Sequence, residues 1–286
     1  MRSTRRDFLC GTVGAETGLV LLPRVSRTAS APGEGHAGVR IGACVVGLEQ
    51  GRKAGLAGIE VPVGGPADQL EISLPEVRRR YKQQMKQTGI PISSLMMGLL
   101  NQCALATDPR GPAWLEQSID AACDLGAKVI LVAFFGNGDL LGAGGRVKEA
   151  DVDNVVRRLK AVAPRARDAG VVLGIENYLN AEQNARILDR VGNDSVKIYY
   201  DCYNTGATKG YDVPAEIRFL KDRIAQFHFK NGPDFLETGK LRFEPIAAAI
   251  KEIGYRGWIV LETSSPTGDA VADVKRNAEY TRTLFA

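Results

Sequence analysis

The sequence predicts an α/β chain folded as one (β/α)8 barrel. Short apolar runs alternate with longer amphipathic stretches from residue 39 onward, which is the rhythm of βα units. Eight apolar runs can be counted, the number that closes a parallel barrel. No Gly-rich turn follows the first run, so the dinucleotide fingerprint of an open, doubly wound sheet is missing.

In chain order the expected strands are VRIGACVV (39–46), GIEVPV (58–63), ISSLMMG (92–98), KVILVAFF (128–135), VVLGIE (171–176), VKIYYD (196–201), IAQFHF (224–229) and GWIVLE (257–262). Between them, helical periodicity marks LPEVRRRYKQQMKQTG (74–89), GPAWLEQSIDAACDLGA (111–127), VDNVVRRLKAVAPRARDAG (152–170), AEQNARILDRV (181–191) and FEPIAAAIKEIG (243–254). Several of these carry a glycine at the end, where a helix commonly turns into the left-handed region. Pro164 is expected to end or kink its helix, because proline lacks the amide hydrogen and its ring crowds the preceding turn. The loop GNGDLLGAGGR (136–146) reads either as an active-site loop after the fourth strand or as a plain flexible connection. Trp114 and Trp258 read as core.

Composition narrows the function classes. A net charge of +4 is modest for 286 residues, and five arginines lie within the first 27, so no basic nucleic-acid surface is implied. The cysteines, Cys10, Cys44, Cys103, Cys123 and Cys202, have no C-x-x-C spacing; they read as small buried hydrophobes rather than a disulfide framework or thiolate zinc site. Residues 1–31 place paired arginines, Arg5 and Arg6, before a mildly apolar run and an A-x-A ending, which resembles a twin-arginine signal peptide. Export of the folded chain, to the periplasm, is therefore expected, with residues 32–38 as a linker and 39–286 as the barrel. Stable membrane insertion is not expected, since no segment has the roughly 18 apolar residues a spanning helix needs.

Barrel enzymes carry their chemistry at the C-terminal ends of the strands. Strands five to eight end in or near Glu176, Asp201, His228 and Glu262, all of them metal-ligand types. The period-two alternation of a strand turns these four inward and sends Leu173, Ile175, Ile198, Tyr200, Ile259 and Leu261 toward the helices. Three crowded carboxylates repel one another unless a cation neutralises them. An oxygen-rich set with one imidazole favours Mn2+ or Mg2+, with Co2+ or Zn2+ as alternatives. In RIAQFHFKNG (223–232) the alternation also puts Gln226, His228 and Lys230 on one face and Phe227 and Phe229 on the other.

GIEN, YYDCYN, FHFKNG and GKLRFEPIAAAIKEIGYRGWIVLET resemble the sugar phosphate isomerase/epimerase family, the xylose-isomerase-like TIM barrels that include tagatose 3-epimerase and inosose-metabolising enzymes. The resemblance covers nearly all of residues 39–286. It implies one divalent metal held by Glu176, Asp201, His228 and Glu262, with Glu176 and Glu262 as acid and base, and Lys230 meeting substrate oxygens. It implies a keto sugar or related polyol as substrate, and proton abstraction next to a carbonyl through an enediolate. Asn204 stands where sugar epimerases of the family often carry histidine, and Asn231 where many relatives have Asp, so substrate identity does not transfer. Lyases or hydratases acting on oxidised glycosides share the ligand set, and a non-catalytic exported sugar-binding barrel is the reading from another class. Homo-oligomerisation is left open.

Further substrate-binding residues are expected at Asn177 and Asn204, which follow ligands closely, and at Glu60 and Asn101, for which a structural place inside the barrel is an equal alternative. Phe134 and Phe135 close strand four; one of them would face the mouth as a flat wall for a sugar ring, with core packing as the stronger alternative.

Overall fold

A computed structural model describes residues 38–286. The leader read in residues 1–31, and all of the linker except Gly38, lie outside the described residues. The order is β1 (Arg40–Ala43), α1 (Leu48–Lys53), β2 (Gly58–Pro62), α2 (Pro75–Thr88), β3 (Ile92–Met97), α3 (Gly111–Leu125), β4 (Val129–Ala133), α4 (Glu149–Asp168), β5 (Val172–Glu176), α5 (Ala181–Val191), β6 (Val196–Asp201), α6 (Val213–Leu220), β7 (Ile224–Phe229), α7 (Phe243–Glu252), β8 (Trp258–Leu261) and α8 (Ala270–Phe285). Neighbouring strands are all parallel, and β8 pairs with β1 to close the barrel. The eight expected strands are all present, β6 and β7 with the bounds of their apolar runs and the other six shorter than theirs.

The main core lies between strands and helices. Leu173, Ile175, Ile198, Tyr200, Phe227, Phe229, Ile259 and Leu261 all belong to it, as alternation requires of residues on the outer face of a barrel strand. A small second cluster of Val129, Leu131, Ala133 and Tyr199, with Met96 and Phe135 against it, fills part of the barrel interior. Gly58 is needed there for space, since a Cβ would sit 2.5 Å from the Trp258 ring. Trp258 carries the Arg40 guanidinium 4.1 Å from its ring centre, a cation–π contact at the start of β1 and β8. The cysteines Cys44, Cys103, Cys123 and Cys202 are unpaired. No helix among the described residues is long and apolar enough to cross a membrane.

Pro164 corrects one expectation. The helix α4 runs through it for 20 residues. Proline removes the hydrogen bond to the carbonyl four residues back, on Lys160; both residues are exposed, so water can take that carbonyl's place as partner. The loop 136–146 is not a structureless connection: Leu141 and Val147 form an antiparallel bridge, and Lys148 Nζ donates to the Asp139 carbonyl at 2.6 Å.

Candidate active site

The register of the sheet assembles the site. Asp201 and His228 are paired positions on β6 and β7, so their inward side chains are neighbours. Glu176 ends β5. Glu262 follows the last residue of β8, its backbone N–H donating to the Phe229 carbonyl at 3.0 Å. Ligand atoms of Glu176, Asp201, His228 and Glu262 all lie within 4.8 Å of one another. His228 Nδ1 is 3.5 Å from Glu176 Oε1, 3.5 Å from Glu262 Oε2 and 3.9 Å from Asp201 Oδ2.

The set fits a divalent cation. His228 Nδ1 is buried without a hydrogen-bond partner, a costly state for a polar atom unless something else satisfies it. It is directed at the three carboxylates. Three carboxylates and one neutral imidazole nitrogen are the donors that hard to borderline divalent ions such as Mn2+ and Mg2+ accept.

Lys230 follows β7 at the rim. Its Nζ donates to Glu262 Oε2 at 2.7 Å and lies 3.0 Å from Asp201 Oδ2. Burial works against its charge, but Asp201, Glu262 and Glu176 outweigh burial and hold it above the usual lysine range. Burial lifts the Glu176 carboxyl to about 7, with His228 pulling the other way. Asp201 is likewise raised by burial. Glu262 goes down: burial would raise it, yet His228 and Lys230 together prevail. The two glutamates thus differ, one proton-accepting near neutrality and the other held ionised.

Other expected site residues fall in different places. Asn204 is at the site: its backbone N–H donates to Asp201 Oδ1 at 2.6 Å and its Nδ2 to Glu176 Oε1 at 3.4 Å. It opens a short π-helical turn, Asn204–Thr208, which Thr205 Oγ1 secures by donating to the Asp201 carbonyl at 2.8 Å. Asn177 is spent on local structure instead. Its Oδ1 accepts from Leu179 N and its Nδ2 donates to Asn184 Oδ1, bracing the turn into α5. Asn101 lends its Oδ1 to the backbone N–H of Phe135 at 3.1 Å, which ties the loop after β3 to the end of β4.

Glu60 takes the structural place inside the barrel that was its equal alternative to contact with a sugar. Its side chain is fully buried, with Oε1 3.0 Å from His228 Nε2. Oε2 accepts from Ser94 Oγ at 2.7 Å and from Tyr199 OH at 2.8 Å. Both oxygens face interior partners, so Glu60 stands behind the histidine and not at the mouth. Gln226 Nε2 completes the network, donating to Ser94 Oγ and Tyr199 OH at 2.8 Å each. Tyr199 and Ser94 were not legible as site-supporting residues from sequence, although period two turns Tyr199 inward with Asp201.

At the rim, Phe134 is fully buried. Phe135 is half-buried and packs edge-on against Tyr178, with ring centres 4.8 Å apart. Lys209 Nζ lies 4.7 Å from the Tyr178 ring centre. The half-buried aromatic pair at this rim is Phe135 with Tyr178, and Tyr178 was not anticipated.

A family model described as xylose isomerase-like TIM barrel matches residues 48–284. The chain belongs to that family. Among curated proteins it resembles a D-psicose 3-epimerase of Enterocloster bolteae, 27% identical over 124 residues, which is 40% of this chain and 41% of that protein. It also resembles an L-ribulose 3-epimerase of Methylomonas sp., 25% identical over 174 residues, 56% of this chain and 59% of the relative. The aligned stretches thus span about half the length of these relatives. Among solved structures, a D-allulose 3-epimerase from Methylomonas sp. in complex with D-allulose superposes with a TM-score of 0.70 at 18% identity, covering 88% of this chain and all of that one. A 3-keto-D-glucoside 4-epimerase from E. coli gives 0.69 at 16% identity, covering 85% and 98%. At these identities the structures establish the fold.

Proposed function

We propose that the chain is a divalent-metal-dependent sugar epimerase or isomerase, acting on a keto sugar at the carbon next to the carbonyl. The observation that carries the reading is the convergence of Glu176, Asp201, Glu262 and the unpartnered Nδ1 of His228 at four successive strand ends. The relatives' names, D-psicose 3-epimerase and L-ribulose 3-epimerase, support a ketose whose C3 configuration is inverted. A cation held by the four residues would act as a Lewis acid for the negative charge that develops on substrate oxygens.

The chain's own residues divide the remaining work. A proton next to a carbonyl is a weak acid, so its removal needs a base whose proton affinity is matched to the working pH. Glu176, lifted by burial to about 7, meets that requirement. Glu262 approaches from the other end of the β5 to β8 arc, so the two carboxyl groups can address opposite faces of a planar enediolate. One removes the proton while the electron pair moves onto the carbonyl oxygen; the other returns a proton to the opposite face. Lys230, now paired with Glu262 and Asp201, supplies a charge-assisted donor for a substrate oxygen. Asn204 holds Asp201 and Glu176 in register, and Phe135 with Tyr178 offers an apolar wall to the sugar's C–H face. The leader in residues 1–31 would take this folded barrel out of the cytoplasm by the twin-arginine route.

Incubation with D-psicose in deuterated water tests the chemistry. The wild type should wash deuterium into C3, and Glu176→Gln and Glu262→Gln should each block exchange from one stereochemical direction. Exchange that persists in both variants refutes the two-base scheme.

A further inference from the structure

We propose that Glu60 is a positioning residue for the metal centre, acting through His228 by fixing which ring nitrogen carries the proton. The inference rests on the metal reading above and extends it to a buried group that touches no substrate. A carboxylate can only accept hydrogen bonds. Glu60 Oε1 lies 3.0 Å from His228 Nε2, so in a neutral imidazole the hydrogen sits on Nε2. The lone pair is then on Nδ1, which points at Glu176, Asp201 and Glu262. A ligating histidine needs that tautomer.

The hydrogen bonds that Gln226 makes reinforce this state. Gln226 Nε2 donates to both Ser94 Oγ and Tyr199 OH, which leaves each hydroxyl hydrogen free for Glu60 Oε2. Glu60 therefore receives donors on both oxygens, from strands β3, β6 and β7. The Tyr199 ring also packs edge-on against the imidazole, with centres 4.5 Å apart and planes at 62°, so the ring is held in rotation as well as in tautomer. Cys44 stands on the same side, close enough with Glu60 and His228 to form a second ligand trio. A cation there would have to break the Glu60–His228 bond, and burial raises the Cys44 thiol to about 11, so the trio reads as the backing of the first site.

Glu60→Gln separates positioning from packing. The orientation that keeps the Ser94 and Tyr199 hydroxyls satisfied points the new amide oxygen at them and its NH2 group at His228. Nε2 must then accept, and the ring hydrogen moves to Nδ1, where it competes with a cation. Co2+ alone is the probe, titrated into metal-free protein and followed by calorimetry and visible absorption. Folded Glu60→Gln should bind Co2+ about tenfold to a hundredfold more weakly than wild type, with an altered absorption band. Tyr199→Phe removes one hydroxyl and keeps the ring; it should weaken binding about fivefold, the equivalent of one ordinary hydrogen bond. Wild-type affinity and spectrum in folded Glu60→Gln would overturn the proposal, and if that variant fails to fold, wild-type affinity in Tyr199→Phe overturns it. A wild type that takes up no Co2+ would instead refute the metal reading on which it stands.

Discussion

Acidification should strip a divalent cation from this site, and Glu176 sets the range. Its carboxyl is lifted by burial from 4.5 to about 7, so below neutrality a proton occupies the oxygen that a cation needs. For one competing proton the apparent affinity falls tenfold per pH unit below that value, or about a hundredfold between pH 7 and pH 5. The assay is a titration of metal-free protein with Mn2+ between pH 5 and 8, in buffers of different ionisation enthalpy so that proton release is counted. At least one proton should be released per ion near pH 6, since Glu176, Asp201 and His228 are all raised and each must give up its proton to a cation. Affinity that stays flat from pH 5 to 8 would show that Glu176 is not a ligand or is not desolvated. The same shift acts on the metal-free fold. Between 4.5 and about 7 the native state keeps a proton that the unfolded chain has lost, so stability is fully present below the lower value and declines as pH rises through the upper one. At 1.36 kcal/mol per pH unit that loss is about 3 kcal/mol. Asp201 and His228, both raised, act in the same direction, while the lowered Glu262 opposes them.

Three further outcomes are expected. Lys230→Met should keep the fold and the bound metal while kcat/KM falls about tenfold to a thousandfold, the loss of one charge-assisted contact to the transition state; unaltered kcat/KM would remove Lys230 from the site. Asn177→Ala should cost about 1–3 kcal/mol in denaturant unfolding by leaving the Leu179 N–H and the Asn184 Oδ1 without their partner, with kcat/KM near wild type; a large kinetic loss at unchanged stability would restore Asn177 as a substrate ligand. Replacing Arg5 and Arg6 together with lysine should block export, read by cell fractionation, and normal export of that variant would refute the leader assignment.

The barrel was legible because its determinants are local. Alternation within single strands put Asp201 and His228 on one face and Tyr200, Phe227 and Phe229 on the other, and no long-range information was needed. Helix α1, six residues long, is too short to show a period, and α6, with eight, barely spans two turns; neither was read, and nor was α8. The quartet of Glu176, Asp201, His228 and Glu262 was legible because each member lies at or next to the end of a strand. The choice between a sugar contact and an interior place for Glu60 was not legible, for the opposite reason. Its inward direction is local, but its depth depends on how β2 is staggered against β3, where Glu60 pairs with Ser94 across a register shift, and on the closure that brings His228 from β7 against it. Asn177 and Asn101 show the same gap at the loops. An asparagine beside a ligand can reach into the site or fold back onto the backbone, and only the turn geometry decides.

The most direct test of the metal centre is the metal content of protein purified without chelators, measured by elemental analysis for the wild type and for His228→Ala. One equivalent of a divalent ion per chain in the wild type, largely lost in the variant while its circular dichroism is retained, is the expected result. A wild type without divalent metal, or a His228→Ala variant that keeps its full equivalent, would contradict the assignment of Glu176, Asp201, His228 and Glu262 as the ligands.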